Sequence, residues 1–231
     1  MDARHLSKRL ATVASFVPVG ARLADIGSDH AYLPAALAIQ NKIVYAVAGE
    51  VARGPFENAL HEIKSQKLDH IINVRQADGL SAITSNDFID AVTIAGMGGT
   101  LITKILSEGI KNLSGVKSLI LQPNVGEFGL RQWLMNHQFR ITNESILSED
   151  GHTYEIIVAQ PSNKVVNYSE SQLYFGPWLL QQKNEVFKAK WREEAEHLRD
   201  SIEHMKIASN PPRTKITQFE QQIRQIQRVL E

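Results

Sequence analysis

Leu23-Ala24-Asp25-Ile26-Gly27-Ser28-Asp29-His30 reads as the end of a buried strand, a glycine turn and the first residue of a helix. Gly27 lets the backbone turn sharply and approach a ligand. An amphipathic stretch over residues 30–40 follows at once. A strand, a turn and a helix in this order open a doubly wound α/β sheet, and such sheets bind ligands at the carboxyl ends of their strands.

Outward from this unit, short apolar runs alternate with helical periodicity. Strands are expected at Arg22–Ile26, Ile43–Ala48, Ile71–Gln76, Ile89–Ala95 and Val116–Gln122, with helices near residues 30–40, 52–68, 99–111 and 127–137. That alternation predicts βαβ units around a buried parallel sheet. Two further strands, Arg140–Leu147 and Thr153–Ala159, flank the polar turn Ser148-Glu149-Asp150-Gly151 and predict a hairpin. Five parallel strands closed by an antiparallel hairpin make a Rossmann-like class I methyltransferase sheet. A dinucleotide dehydrogenase would end on another parallel strand.

The turn also discriminates between ligands. It is not a G-x-G-x-x-G fingerprint, because Ser28 and Asp29 stand where the second glycine would be. A pyrophosphate calls for a helix N-terminus without a carboxylate beside it. Asp25 and Asp29 suit S-adenosylmethionine better, since it carries a sulfonium and an ammonium and no phosphate. As an alternative, Asp29 caps the helix. Glu50 ends the second strand, 23 positions after Gly27, where an acid can accept from both ribose hydroxyls. It equally serves as a cap for the helix near Ala52. Asp78, in Gln76-Ala77-Asp78-Gly79-Leu80, can accept from an adenine amino group or simply form an Asp-Gly turn. The fourth strand ends Ala95-Gly96-Met97-Gly98-Gly99, which implies close passage of a ligand or a flexible turn. The fifth ends Gln122-Pro123-Asn124 and brings an amide to the same rim.

Two segments flank this domain. Leu6, Leu10, Val13 and Val17 form one face of an N-terminal helix over residues 6–17, with Arg4 and Lys8 opposite and Arg9 at the edge. After a linker at Pro161-Ser162-Asn163-Lys164 the strand signal ends. Phe187, Trp191, Ala195, Leu198, Ile202 and Met205 then make one apolar seam, and Ile216, Phe219, Ile223, Ile226 and Leu230 make another. Asn210-Pro211-Pro212 separates them, so a helical hairpin paired as a coiled coil within the chain is expected. The predicted domains are therefore 1–160, a methyltransferase domain, and 161–231, a helical domain.

Composition narrows the possibilities. The chain has no cysteine, which excludes a disulfide scaffold, a thiolate metal site and a cysteine nucleophile; no metal is expected. Met1 to Leu10 has no apolar signal segment, and no apolar run reaches membrane-spanning length, so a cytoplasmic protein is expected. The 25 basic and 25 acidic residues cancel, so any nucleic-acid contact must be local. Lys183, Lys188, Lys190, Arg192, Arg199 and Lys206 offer one such patch, interleaved with Glu185, Glu193, Glu194, Glu196 and Glu203. A solvated charged face is the alternative reading of it.

Together G-S-D-H-A-Y-L-P (27–34), Q-A-D-G-L (76–80), A-G-M-G-G (95–99) and Q-P-N (122–124) resemble the bacterial family that methylates N1 of adenine 22 in tRNA. Thr153-Tyr154-Glu155 and Tyr174-Phe175-Gly176-Pro177 extend the resemblance over nearly the whole chain. The resemblance implies S-adenosylmethionine held by Asp25, Gly27, Ser28, Glu50, Asp78, Gly79, Gly96 and Met97. It puts Asp29 and His30 nearest the transferring methyl. tRNA is the implied partner, with Arg4, Lys8, Arg9 and Asn124 as its expected contacts. The Asn-Pro-Pro-Tyr motif of exocyclic-amine methyltransferases is absent, in agreement with a ring nitrogen target. Two rival readings remain at this point: a methyltransferase for a protein or small molecule, and a catalytically silent RNA-binding protein of the same fold.

Overall fold

The computed structural model describes residues 2–207 and 210–231. Two compact units emerge, Met1–Trp178 and Leu179–Glu231. The first holds α1 (Lys8–Phe16), β1 (Ala21–Ile26), α2 (Tyr32–Ile39), β2 (Ile43–Glu50), α3 (Arg53–Ser65), β3 (Ile72–Gln76), β4 (Ala91–Met97) and α4 (Gly99–Glu108). It continues through β5 (Ser118–Pro123), α5 (Glu127–Asn136), β6 (Phe139–Glu149), β7 (His152–Pro161) and α6 (Glu170–Phe175).

The sheet runs β3-β2-β1-β4-β5-β7-β6. β1 to β5 pair in parallel, while β7 is antiparallel to both β5 and β6. Alternate side chains go to opposite faces, as the pleat requires. Ile120, Ile156 and Val158 join the core beneath α1, α2 and α3, whereas Leu119, Leu121, Ile157 and Ala159 join the core beneath α4 and α5. The strand order reverses between β1 and β4, and the crevice at their carboxyl ends is where such a sheet receives a ligand.

Expected and observed elements agree in type and order, with shifted ends. β4 and β5 begin two residues later than the apolar runs indicate, at Ala91 and Ser118. Ile89 and Val116 are buried without belonging to the ladder. Asp90 explains the delay: its carbonyl accepts from Lys117 N and Ser118 N, and its carboxylate accepts from Arg22 N at 2.9 Å. The hairpin turn is Asp150-Gly151, both at positive φ, as a two-residue turn between right-twisted strands requires.

The expected linker at Pro161–Lys164 lies inside the first compact unit, which extends to Trp178. Residues beyond the hairpin fold back onto it. Tyr168 Oη accepts from Ile141 N at 2.7 Å, and Trp178 N donates to Glu144 Oε2 at 2.8 Å. Ser169 caps α6 in a reciprocal capping box with Gln172. At the centre of this layer the Arg131 guanidinium donates to Glu144 Oε1 at 2.7 Å, to Glu155 and to the Leu173 carbonyl, all three side chains being fully buried. A Cβ on Gly176 would meet Glu144 Oε2 at 2.6 Å and Arg131 Nη2 at 2.8 Å, so only glycine lets the chain pass over the pair.

The second unit contains α7 (Leu179–Gln182), α8 (Glu185–Lys206) and α9 (Arg213–Leu230), and α8 packs against α9. Asn184 caps α8, its side chain accepting from Phe187 N. Phe187, Trp191, Ala195, Leu198 and Ile202 are buried along one face of α8, and Ile223 and Ile226 along α9. All seven belong to the two predicted seams, whose remaining positions, Met205, Ile216, Phe219 and Leu230, are half-buried. Among the described residues no helix is long and apolar enough to cross a membrane.

Candidate active site

A cavity of about 240 Å³ opens at the carboxyl edge of β1 and β4, bordered by Asp25, Gly27, Ser28, Asp29, His30, Tyr32, Ala95, Gly96, Met97 and Arg9. Its floor is the glycine turn. Gly27 takes φ +70°, and a Cβ there would lie 1.9 Å from Met97 Cε, so the turn and β4 touch because position 27 is bare. Asp29 and Ala31 also sit in the left-handed region, at φ +53° and +56°. Such strain persists only where the surroundings hold it. Glu50 does so: its Oε2 accepts from Asp29 N at 3.1 Å, while its Oε1 accepts from Val51 N and Ala52 N.

Asp29 does not cap the helix. α2 begins at Tyr32 with Ala31 at its N-cap and no side-chain cap bond. The Asp29 carboxylate is exposed beside His30, 3.8 Å from Nε2, and the His30 ring stacks on Tyr32 with centroids 5.1 Å apart. Glu50 does not cap α3, which begins at Arg53 without a side-chain cap bond; its carboxylate instead holds the Val51 and Ala52 amides ahead of the helix and the Asp29 amide of the glycine turn.

Asp25 is buried, accepting from Ser28 Oγ at 2.5 Å and from Thr93 Oγ1 at 2.6 Å. Burial pushes its carboxyl above the usual range; the two hydroxyls oppose that, and the nearby Glu50 charge adds to it. Neither Asp25 nor Glu50 has a cationic partner among the described residues. Burial and the neighbouring acid disfavour the charged form of Asp25, which is relieved either by a proton or by a cation bound beside it.

The far wall comes from α1. Glu149, at the tip of the β6–β7 hairpin, accepts from Lys8 N and Arg9 N and closes the helix's open amino end. Arg9 reaches Gln122 Oε1 at 2.6 Å and lies over the Tyr154 ring, 5.4 Å from its centroid. The Lys8 ammonium turns instead to the Ser148 carbonyl at 3.3 Å.

The remaining expected residues stand elsewhere. Asp78 and Gly79 border a separate cavity of about 250 Å³ with Ile105 and Glu108. The Asp78 carboxylate is exposed, while its carbonyl takes the turn bonds from Ser81. Arg4 borders a shallow cavity with His5, Gln40 and Lys42. Asn124 is exposed at the rim, and its Nδ2 donates to the Gly96 carbonyl at 2.9 Å. Thr93, Tyr32, Tyr154 and the full role of Gln122 escape the sequence reading. A threonine inside Ala91-Val92-Thr93-Ile94 and a glutamine closing Leu119-Ile120-Leu121 were the available signals, polar residues interrupting buried strands. Among the described residues, no group of three or more His, Asp or Glu is placed to hold a metal ion.

Comparison with known proteins agrees with this geometry. The family model for tRNA (adenine(22)-N(1))-methyltransferase, TrmK, matches residues 23–228. The tRNA (adenine(22)-N(1))-methyltransferase of Bacillus subtilis is 42% identical over 219 residues, covering 93% of this chain and 92% of that protein. A crystal structure of Streptococcus pneumoniae Sp1610 in complex with S-adenosyl-L-methionine superposes with a TM-score of 0.90 at 43% identity, covering 98% of this chain and 100% of that one. An uncharacterized protein from Listeria monocytogenes serotype 4b gives a TM-score of 0.96 at 43% identity over 98% of this chain and 100% of that one. A Rossmann-like sheet with a closing hairpin, a carboxylate-rich glycine turn and matches of this extent place the chain in the tRNA (adenine(22)-N(1))-methyltransferase family.

Proposed function

We propose that this enzyme transfers a methyl group from S-adenosylmethionine to N1 of adenine 22 in tRNA. The observation that carries the reading is the pair of buried carboxylates, Asp25 and Glu50, flanking a strained glycine turn without a cationic partner among the described residues. Family membership supplies the substrate class: the matched relative from Bacillus subtilis is a tRNA (adenine(22)-N(1))-methyltransferase.

In this reading Asp25, Gly27, Ser28, Glu50 and the Gly96-Met97 backbone hold the cofactor, with Asp78 and Gly79 toward its adenine. The bound cofactor supplies an electrophilic methyl group on a sulfonium. Adenine N1 has a free lone pair, so position and exclusion of water carry most of the catalysis. Asp29 orients the adenine amino group or takes a proton from it after transfer, and His30, stacked on Tyr32, is the second acid–base group beside it. In a folded tRNA the target must first leave its stack. Arg9 and Asn124 at the rim, with Arg4 and Lys8 beyond, take the RNA side.

The proposed division of labour is a methyltransferase domain that runs to Trp178, past the expected end at residue 160, and a helical domain from Leu179 to Glu231 whose coiled coil pairs within one chain and contributes phosphate contacts. tRNA as substrate agrees with a cytoplasmic enzyme. The test is incubation of the protein with S-adenosylmethionine and unmodified tRNA, followed by mass analysis of the digest. 1-Methyladenosine at position 22 is the expected product, and tRNA with guanosine at 22 should gain none.

A further inference from the structure

The strands and the N-terminal helix meet at one side chain. Gln122 is fully buried, and every hydrogen-bonding position of its amide is used. Oε1 accepts from Arg9 Nη1 at 2.6 Å and from Gly96 N at 3.0 Å. Nε2 donates to the Pro123 carbonyl at 2.8 Å and to Asn124 Oδ1 at 3.2 Å, and Asn124 Nδ2 returns to the Gly96 carbonyl at 2.9 Å. The two donors on one side and two acceptors on the other fix which way the amide faces. Leucine would supply none of these bonds, and glutamate would supply only the accepting half.

Arg9 is otherwise held at its backbone by Glu149 and at its face by Tyr154. Among the described residues its guanidinium makes one hydrogen bond, to Gln122, which leaves most of its N–H donors for a ligand. Asp25 and Asp29 are the other charged groups bordering this cavity, apart from His30. A guanidinium with N–H donors to spare at the mouth of the cavity can take an anionic oxygen there. Within the proposed methylation of tRNA, the anions at hand are the cofactor's own carboxylate and the phosphate beside the extruded adenosine; a rise in KM for tRNA with cofactor affinity unchanged marks the phosphate.

We propose that Gln122 is the positioning residue that aims Arg9 at this phosphate and locks it to the Gly96 turn, so that RNA capture and the cofactor side of the cavity are set by one amide. The proposal rests on the tRNA methylation reading above.

The test compares Gln122→Leu, Gln122→Glu, Arg9→Ala and the Arg9→Ala/Gln122→Leu double variant in full-length protein. Gln122→Leu should raise KM for tRNA roughly tenfold, the scale of losing a hydrogen bond to a charged group. Gln122→Glu keeps both accepting bonds but turns a second oxygen toward the Pro123 carbonyl and Asn124 Oδ1, so it too should raise KM for tRNA, by about threefold or more. In the Arg9→Ala background Gln122→Leu should add less than about twofold, because its partner is already gone. A purely space-filling residue would leave KM for tRNA unchanged in Gln122→Leu. Effects of Arg9→Ala and Gln122→Leu that multiply, or an unchanged KM in Gln122→Leu, overturn the proposal. Hydrogen exchange supplies an arm independent of activity: the Gly96 amide should exchange faster in Gln122→Leu and not in Arg9→Ala, where Gln122 still accepts from it. If the unmodified protein leaves adenine 22 unmethylated, the functional reading fails. The exchange data then still decide whether Gln122 holds the turn, and equal exchange in all variants sinks the proposal.

Discussion

The Glu50 carboxylate accepts a hydrogen bond from the Asp29 backbone N–H at 3.1 Å, so the end of the second strand holds the left-handed turn that presents the Asp29 side chain. The carboxylate expected to orient the cofactor thus also fixes the group expected to face the substrate. Their substitutions should separate. Glu50→Ala removes three accepting bonds from the turn and should weaken both cofactor binding and turnover.

Asp29→Ala should keep cofactor affinity within about twofold and lose about a hundredfold or more in kcat, the scale of a positioned acid–base group. Calorimetry and single-turnover methylation measure the two quantities. Near-normal turnover would reduce Asp29 to a turn residue.

Acid should weaken cofactor binding through Asp25. Its carboxyl is raised by burial, so on acidification it protonates earlier than an ordinary carboxylate, and a protonated Asp25 attracts a cation less. Folding itself shows the opposite sign: between the ordinary value of 3.8 and the raised value the folded chain holds the extra proton, so stability from this group falls as pH rises. Cofactor titrations across that interval should show affinity falling as the pH is lowered. Asp25→Asn should flatten the dependence, and an unchanged slope would remove Asp25 as its source.

The second carboxylate network carries stability. Arg131→Met strands Glu144 and Glu155 in a fully buried site and should cost about 3–5 kcal/mol, the usual penalty for breaking a buried pair. For a chain of this size the melting temperature should drop by about 10 °C. The loss should be smaller at pH 5 than at pH 8, because Glu144, already raised by burial, can take up a proton. Equal melting curves at the two pH values would show that the stranded charges are not the cause.

The sheet, the hairpin and the glycine turn were legible because each has local chemistry: period, turn residues and strand-end glycines. The unit boundary was not. Pro161–Lys164 has the composition of a linker, yet Tyr168 and Trp178 return to β6 through bonds to Ile141 and Glu144, and Leu173 to α5 through Arg131, partners far away in sequence. Arg131 lies inside the helix expected near 127–137 with no signal of its own, and its burial follows from Glu144 and Glu155 arriving on two later strands. Gln122 showed as a rim amide, but Arg9, its partner, lies 113 residues earlier. Asp78 was placed by strand-end position alone, and the short turn at Gly79–Ala82 carries it to a neighbouring cavity.

A chain ending at Trp178 should therefore fold and bind S-adenosylmethionine, whereas one ending at Gln160 loses β7's last residue and every bond from Tyr168 to Trp178, and should be markedly less stable. Far-ultraviolet circular dichroism melts of the two chains give the comparison. Equal melting temperatures would show that residues 161–178 contribute nothing to the first unit.

Methyl transfer to one tRNA atom is the decisive measurement. Unmodified tRNA is incubated with S-adenosylmethionine carrying a labelled methyl group and the product is digested and mapped by mass spectrometry. The account predicts label on N1 of adenine 22, a hundredfold or greater loss with Asp29→Ala, and no label when position 22 is guanosine. Label on another nucleotide, or full incorporation with Asp29→Ala, would contradict it.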